Sequence, residues 1–206
     1  SCRSTEATGL VALTSVDGAF ACGIGGNGAV VAGSAPGADG LDMVAWSAVS
    51  GLVTIAKPAG ATGDVWVADC SHDGTVIAGD ASPAGGVREP VRWNNGVFEW
   101  LGTLPGAATG FGSSTGGVSG DGNVIVGGMD STDGYQAYRW TAPADLIGLG
   151  DLPGGDFLSQ AFSATEDGAM VVGYGTTDVG WEAFRWTARD GMVALGALDG
   201  GSGQSV

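Results

Sequence analysis

The sequence predicts an all-β fold, a β-propeller of four-stranded antiparallel blades, and three observations carry that expectation. Turn signals recur at Asn27-Gly28, Asp73-Gly74, Asp121-Gly122 and Asp167-Gly168, spaced 46, 48 and 46 residues apart. Each is followed by an apolar run that ends in glycine, at residues 29–33, 75–79, 123–127 and 169–173. A tryptophan then returns at Trp46, Trp93, Trp140 and Trp186, preceded in the last three copies by Arg92, Arg139 and Arg185. A period near 46 falls within the roughly 40–50 residues of a propeller blade. No segment sustains the 3.6-residue apolar period of a helix.

Within the last copy, four strands are expected at residues 159–165, 169–174, 182–187 and 192–195, here called a, b, c and d. Each is rich in valine, aromatic or alternating residues and is bounded by glycine, aspartate or proline. The Asp-Gly pair between a and b is read as a type I′ hairpin, which needs positive φ at both central residues. Complete copies occupy residues 19–56, 65–102, 113–150 and 159–196, with partial copies at 1–18 and 202–206.

Residues 3–18 align without gaps on residues 185–200, four repeats later. The N-terminus is therefore expected to supply strands c and d, around residues 3–5 and 10–16. The C-terminus is expected to supply strand a at residues 203–206, making a composite fifth blade that removes exposed edges. The alternatives are a larger ring of which this chain is a piece, or an open array in which neighbouring molecules complete one another. No linker interrupts the order, so residues 1–206 read as a single domain.

Composition narrows the function. Glycine supplies 41 of 206 residues, and 22 acids face seven bases for a net charge of −15. Such a surface repels phosphate backbones, which excludes nucleic acid as a partner. No apolar run approaches the length of a membrane span. His72 is the only histidine, and neither a Gly-x-Ser-x-Gly elbow nor a phosphate-binding glycine loop occurs, so the chain reads as non-enzymatic. A glycosidase needs only two suitably spaced carboxylates, and among so many acids such pairs arise by accident.

The repeated residues call for a repeated, structural explanation. The four tryptophans are expected to pack between blades, and the arginines to reach a carboxylate or carbonyl of the neighbouring blade. Each turn aspartate is expected to bond its own nearby backbone. Strand alternation puts the b–c loops (34–41, 80–87, 128–134, 175–180) and the d–a crossovers (56–65, 103–112, 151–158) at one end, where a rigid scaffold would display them. Phe20, Trp66, Phe111, Phe157, Tyr174 and Trp181 fall there as candidate ligand-binding aromatics. The competing reading is that Phe20 and Trp66 plug the central channel. Asp130 with Asp133, and Asp151 with Asp156, are candidate oxygen donors for Ca²⁺, which takes six to eight such ligands. No complete calcium loop is present, and no other cofactor is expected. Of the three cysteines, Cys22 and Cys70 stand on strand a of consecutive blades and could form a disulfide; Cys2 with Cys22 is the other pairing.

The final copy, from Gly150-Asp151-Leu152-Pro153-Gly154-Gly155 through Glu182-Ala183-Phe184-Arg185-Trp186-Thr187 to Gly191-Met192-Val193-Ala194-Leu195-Gly196, resembles the HAF-type extracellular repeat of secreted and surface-anchored bacterial proteins. Glu182-Ala183-Phe184 and Gln136-Ala137-Tyr138 stand where that family has His-Ala-Phe, so any role of the family histidine is lost here. The resemblance implies an extracellular or cell-surface location and brings no catalytic residue. The expected function is adhesion or extracellular assembly, with the chain itself, a surface glycan or a protein as partner. One form of assembly is a filament in which strand a of one molecule completes the unfinished blade of the next. Glycan binding by the loop-end aromatics, assisted by calcium, is the alternative.

Overall fold

The structure, a computed structural model, describes residues 2–5, 9–12, 16–107 and 110–196, with side chains from residue 16 onward. Among the described residues there is no α-helix, and no helix long and apolar enough to cross a membrane. A two-stranded hairpin, β1 (Cys2–Thr5) with β2 (Gly9–Ala12), precedes four antiparallel four-stranded sheets. Blade A holds β3 (Phe20–Ile24), β4 (Val30–Gly37), β5 (Gly40–Ser47) and β6 (Gly51–Ile55). Blade B holds β7 (Ala61–Cys70), β8 (Val76–Pro83), β9 (Glu89–Asn94) and β10 (Val97–Trp100). Blade C holds β11 (Ser113–Val118), β12 (Val124–Asp130), β13 (Tyr135–Thr141) and β14 (Asp145–Gly150). Blade D holds β15 (Ser159–Ala164), β16 (Met170–Thr177), β17 (Gly180–Thr187) and β18 (Gly191–Ala194). The hairpin β1–β2 lies where strands c and d of a further blade were expected; the expected strand a at residues 203–206 lies outside the described residues.

Each blade packs its first strand onto the face of the one before: β7 against β3, β4 and β5, β11 against β7, β8 and β9, and β15 against β11, β12 and β13. Three apolar cores result, one per junction. Ala32, Met43 and Ile55 meet Val65, Val67, Ile77 and Val91 between A and B. Val76 and Ala78 meet Ile125, Tyr138 and Trp140 between B and C. Val124, Val126 and Ala137 meet Ala161, Val171, Phe184 and Trp186 between C and D. Strand b therefore contributes to the core on both faces. Its sequence is a continuous apolar run rather than an alternating one for that reason.

The glycine that ends each run has a steric cause. In all four blades the a–b register shifts at one equivalent place, between Ala21 and Gly23, Val67 and Asp69, Thr115 and Gly117, and Ala161 and Ser163, and blade B shifts a second time between Thr62 and Val65. Each shift is a β-bulge, which bends the inner strand toward its neighbour. A Cβ at Gly33, Gly79, Gly127 or Gly173 would collide with the carbonyl oxygen of Phe20, Trp66, Ser114 or Gln160.

Two expectations are corrected. The Asp-Gly turns are not type I′: only the glycines take positive φ (Gly28 +70°, Gly74 +72°, Gly122 +73°, Gly168 +63°), and Asn95 is the only such non-glycine among the described residues. Gly74 N–H donates to Ser71 O at 2.9 Å and Ser71 N–H to Val76 O at 2.9 Å, giving a four-residue loop, a length most often built around a type I turn. Second, the b–c loops are shorter than expected, because the strands run on into them. Gly37 pairs with Gly40 and Thr177 with Gly180, leaving two-residue connections at 38–39 and 178–179. Glycines at 40 and 180, both at positive φ, permit that tight return.

Candidate functional site

The turn aspartates act as expected. Asp73 Oδ1 accepts from Thr75 N–H at 3.0 Å and from the Ser71 hydroxyl at 2.7 Å; Asp121 and Asp167 repeat this with Asn123 and Ser119, and with Ala169 and Thr165. Those bonds hold the Asp73 carboxyl below its ordinary value, chiefly through the Thr75 N–H. Neighbouring turns also bond to one another, Gly26 N–H to His72 O, His72 N–H to Gly120 O and Asp121 N–H to Glu166 O. His72 is exposed, and its Nδ1 lies 3.6 Å from Glu166 Oε2 of blade D, two blades away. Local sequence carries no signal for that pair, which brings the a–b turns of blades B and D together.

Trp93, Trp140 and Trp186 pack between blades, with Trp140 and Trp186 buried, whereas Trp46 is half-buried on blade A and belongs to none of the three inter-blade cores. The arginines meet the expectation in part. Arg92 and Arg139 stack on the next blade's tryptophan, 4.9 Å from Trp140 and 5.9 Å from Trp186. Arg139 Nε donates to the Gly168 carbonyl of blade D at 3.2 Å, as anticipated. The carboxylate partners, however, come from the arginine's own blade: Glu99 for Arg92 at 3.3 Å and Asp190 for Arg185 at 3.0 Å. Antiparallel pairing of c with d places those acids within reach, Glu99 directly opposite Arg92.

The six candidate aromatics form no single site. Phe20 and Trp66 occupy equivalent positions on β3 and β7 and stack with centroids 5.9 Å apart, at the inner-strand position expected for them. The same position in blades C and D holds Ser114 and Gln160, and Gln160 Nε2 donates to Ser114 O at 3.1 Å while Tyr135 Oη donates to Gln160 Oε1 at 3.0 Å. Phe157 lies against Gly134 of blade C, and Phe111 is 89 % exposed. Tyr174 and Trp181 belong elsewhere, on the outward face of blade D. There Tyr174 meets Trp181 edge-on at 4.8 Å and Phe162 at 5.2 Å. Phe162 occupies the bulge of β15 and carried no repeat signal in the sequence.

Asp80, expected on a loop, is instead buried on β8. Burial raises its pKa against hydrogen bonds that lower it, from Ser113 Oγ at 2.5 Å, Thr115 N–H at 2.8 Å and Thr115 Oγ1 at 3.1 Å, all in blade C. Ser34 does the same work between A and B, accepting from Val67 N–H at 3.0 Å.

Among the described residues, no three His, Cys, Asp or Glu side chains converge as a metal site. Asp130 accepts from Gly112 N–H at 2.8 Å and Asp151 from Leu158 N–H at 2.8 Å, so both tie crossover backbone in place. Asp133 and Asp156 are exposed. The proposed disulfide is absent: Cys22 and Cys70 are free thiols. Cys22 is exposed at the bulge of β3, whereas Cys70 is buried in the A–B core, so the two do not meet. Burial, then Asp69, pushes the Cys70 thiol up to about 12.

The outward face of blade D is the largest departure from repetition. On strand b the residues facing the next blade are Val76 and Ala78 in B (6 % and 0 % exposed) and Val124 and Val126 in C (2 % and 0 %). Their equivalents in D, Met170 and Val172, are 38 % and 39 % exposed, and Phe162 and Val193 on the neighbouring strands are open as well. In the covered junctions a turn glycine of the next blade seats on the first of these residues: Gly122 on Val76 and Gly168 on Val124.

No family profile matches the chain, and no curated protein matches it in sequence. Solved propeller structures do resemble it. A putative TolB from Agrobacterium tumefaciens superimposes with a TM-score of 0.65 at 17% identity, over 94% of this chain and 72% of that one. TolB from Acinetobacter baumannii gives 0.61 at 15%, over 91% of this chain and 45% of that one, so this chain spans less than half of that protein's length. The β-propeller domain of the Trilobed protease from Pyrococcus furiosus, described as having an open velcro topology, gives 0.56 at 11%, over 88% and 58%. At these identities the likeness shows the fold, and the fold is a β-propeller.

Proposed function

We propose that this chain is a non-enzymatic, secreted or cell-surface bacterial assembly module that associates with a second copy through the outward face of blade D. One observation carries the reading: Met170 and Val172 stand open where the equivalent residues of blades B and C are covered by the next blade. An uncovered apolar sheet face in a chain of net charge −15 marks an interaction surface, since the rest of the surface is acidic and repels. The occupant with matching shape is another blade, because three junctions of this molecule already solve that packing. The resemblance to extracellular HAF-type repeats supports the location.

Sedimentation equilibrium over a range of concentrations tests this, with Val172→Asp as the comparison. Self-association that weakens strongly in the variant, with unchanged circular dichroism, is expected. A wild-type monomer at every concentration overturns it. A second reading, glycan binding, is favoured by the Phe162–Tyr174–Trp181 aromatic row, whose polar edges could flank a stacked sugar. A glycan array with and without calcium decides it; binding in neither condition removes it.

A further inference from the structure

Blade A breaks the arginine pattern, and the break leaves a cavity. Cross-strand register makes Ala45 the equivalent of Arg92 and Arg139: Ala45 pairs with Ala32, Arg92 with Ala78 and Arg139 with Val126, each one residue before the strand-c tryptophan. In the B–C and C–D junctions the arginine lies over the tryptophan of the following blade. In the A–B junction that position is a slot of about 260 Å³, walled by Trp93, Val30, Ala45, Val53 and Ile55, with Gly74 among its lining residues. It falls just short of the roughly 300–1,000 Å³ of a drug-sized ligand site, which suits a single side chain.

We propose that this slot binds a guanidinium group, the end of an arginine side chain on a peptide partner. The two sister slots hold that group, and the parts that hold it recur here. Trp93 offers the same indole face as Trp140 and Trp186, on which a planar cation is attracted by the ring quadrupole. Gly74 is the equivalent of Gly168, whose carbonyl accepts from Arg139 Nε at 3.2 Å. A facing carboxylate is not required. Val53 stands where Glu99 pairs with Arg92, but Ile147 stands there opposite Arg139, which stacks on Trp186 all the same. The chain's net charge of −15 draws a cation toward the slot. An unfilled space of this size in a packed interface forfeits contacts that a guanidinium and its methylenes would restore.

The test is titration of nitrogen-labelled protein with N-acetyl-arginine amide, followed at the indole N–H signals, beside the uncharged citrulline analogue. Saturable binding is expected, about tenfold tighter for arginine than for citrulline. Ala45→Arg, which supplies the group in cis as the sister blades do, should abolish it and raise the melting temperature. Trp93→Leu, checked for fold by circular dichroism, should also abolish it. Absence of binding, equal binding of citrulline, or binding that persists in Ala45→Arg would each overturn the assignment.

Discussion

At the scale of single residues, position in the repeat decides what each side chain does. Gly79 sits where the bulge of β7 brings the Trp66 carbonyl onto its α-carbon. Gly79→Ala should lower stability to urea by about 1–3 kcal/mol, the cost of inserting atoms into a packed site; an unchanged midpoint would contradict the bulge. The cysteines offer a second test. The thiolate is the reactive form, so a thiol reagent at neutral pH should label exposed Cys22 well before Cys70, whose thiol is buried and pushed up to about 12.

Acid titration reports the turns. Asp73 and Asp167 lie below the ordinary value of 3.8 through bonds from the Thr75 and Ala169 N–H groups; in Asp121 such bonds outweigh desolvation. A lowered folded pKa stabilises above that ordinary value, and the gain is lost as pH falls through the folded pKa. Asp69, Asp80 and Asp151 are raised by burial, so their protonation relieves a penalty and comes at higher pH. The loss should therefore begin only below about pH 3.8. Replacing Asp73, Asp121 and Asp167 together by asparagine should flatten it. Asn27 already accepts from Ala29 N–H at 2.8 Å in the same place, so the bond survives without the charge.

At the scale of elements, the strands were legible and their ends were not. Strands a to d of the last copy emerge within three residues of where valine, aromatic and glycine patterns put them. The b–c connections were read as loops because glycine, proline and aspartate crowd them. The glycines at 40 and 180 instead take positive φ and let the strands continue to a two-residue return. The bulge left a trace, the invariant-looking glycine after each apolar run, but its cause lies on the facing strand, which spacing alone does not reveal. Arginine–tryptophan stacking belongs to this scale too. Arg139→Ala should cost about 1–2 kcal/mol in thermal unfolding, and Arg139→Lys should recover little, since an ammonium lacks the planar fork that lies over Trp186 and reaches Gly168.

At the scale of the whole molecule, the repeat made the propeller readable, because identical wedges must bury identical faces. What it could not show was which wedge has no neighbour among the described residues. Met170 and Val172 are apolar in sequence like their counterparts Val76 and Ala78 or Val124 and Val126, and only the assembled blades distinguish them. The loop-end site was equally hidden: the candidate aromatics are distributed over two inner strands, two crossovers and the open face of blade D.

Hydrogen–deuterium exchange at low and high protein concentration tests the openness of blade D most directly. Amides of β15, β16 and β17 should gain protection as concentration rises, while those of β11 and β12, already covered, should not change. Exchange in β15–β17 that is the same at both concentrations would contradict an interface on that face.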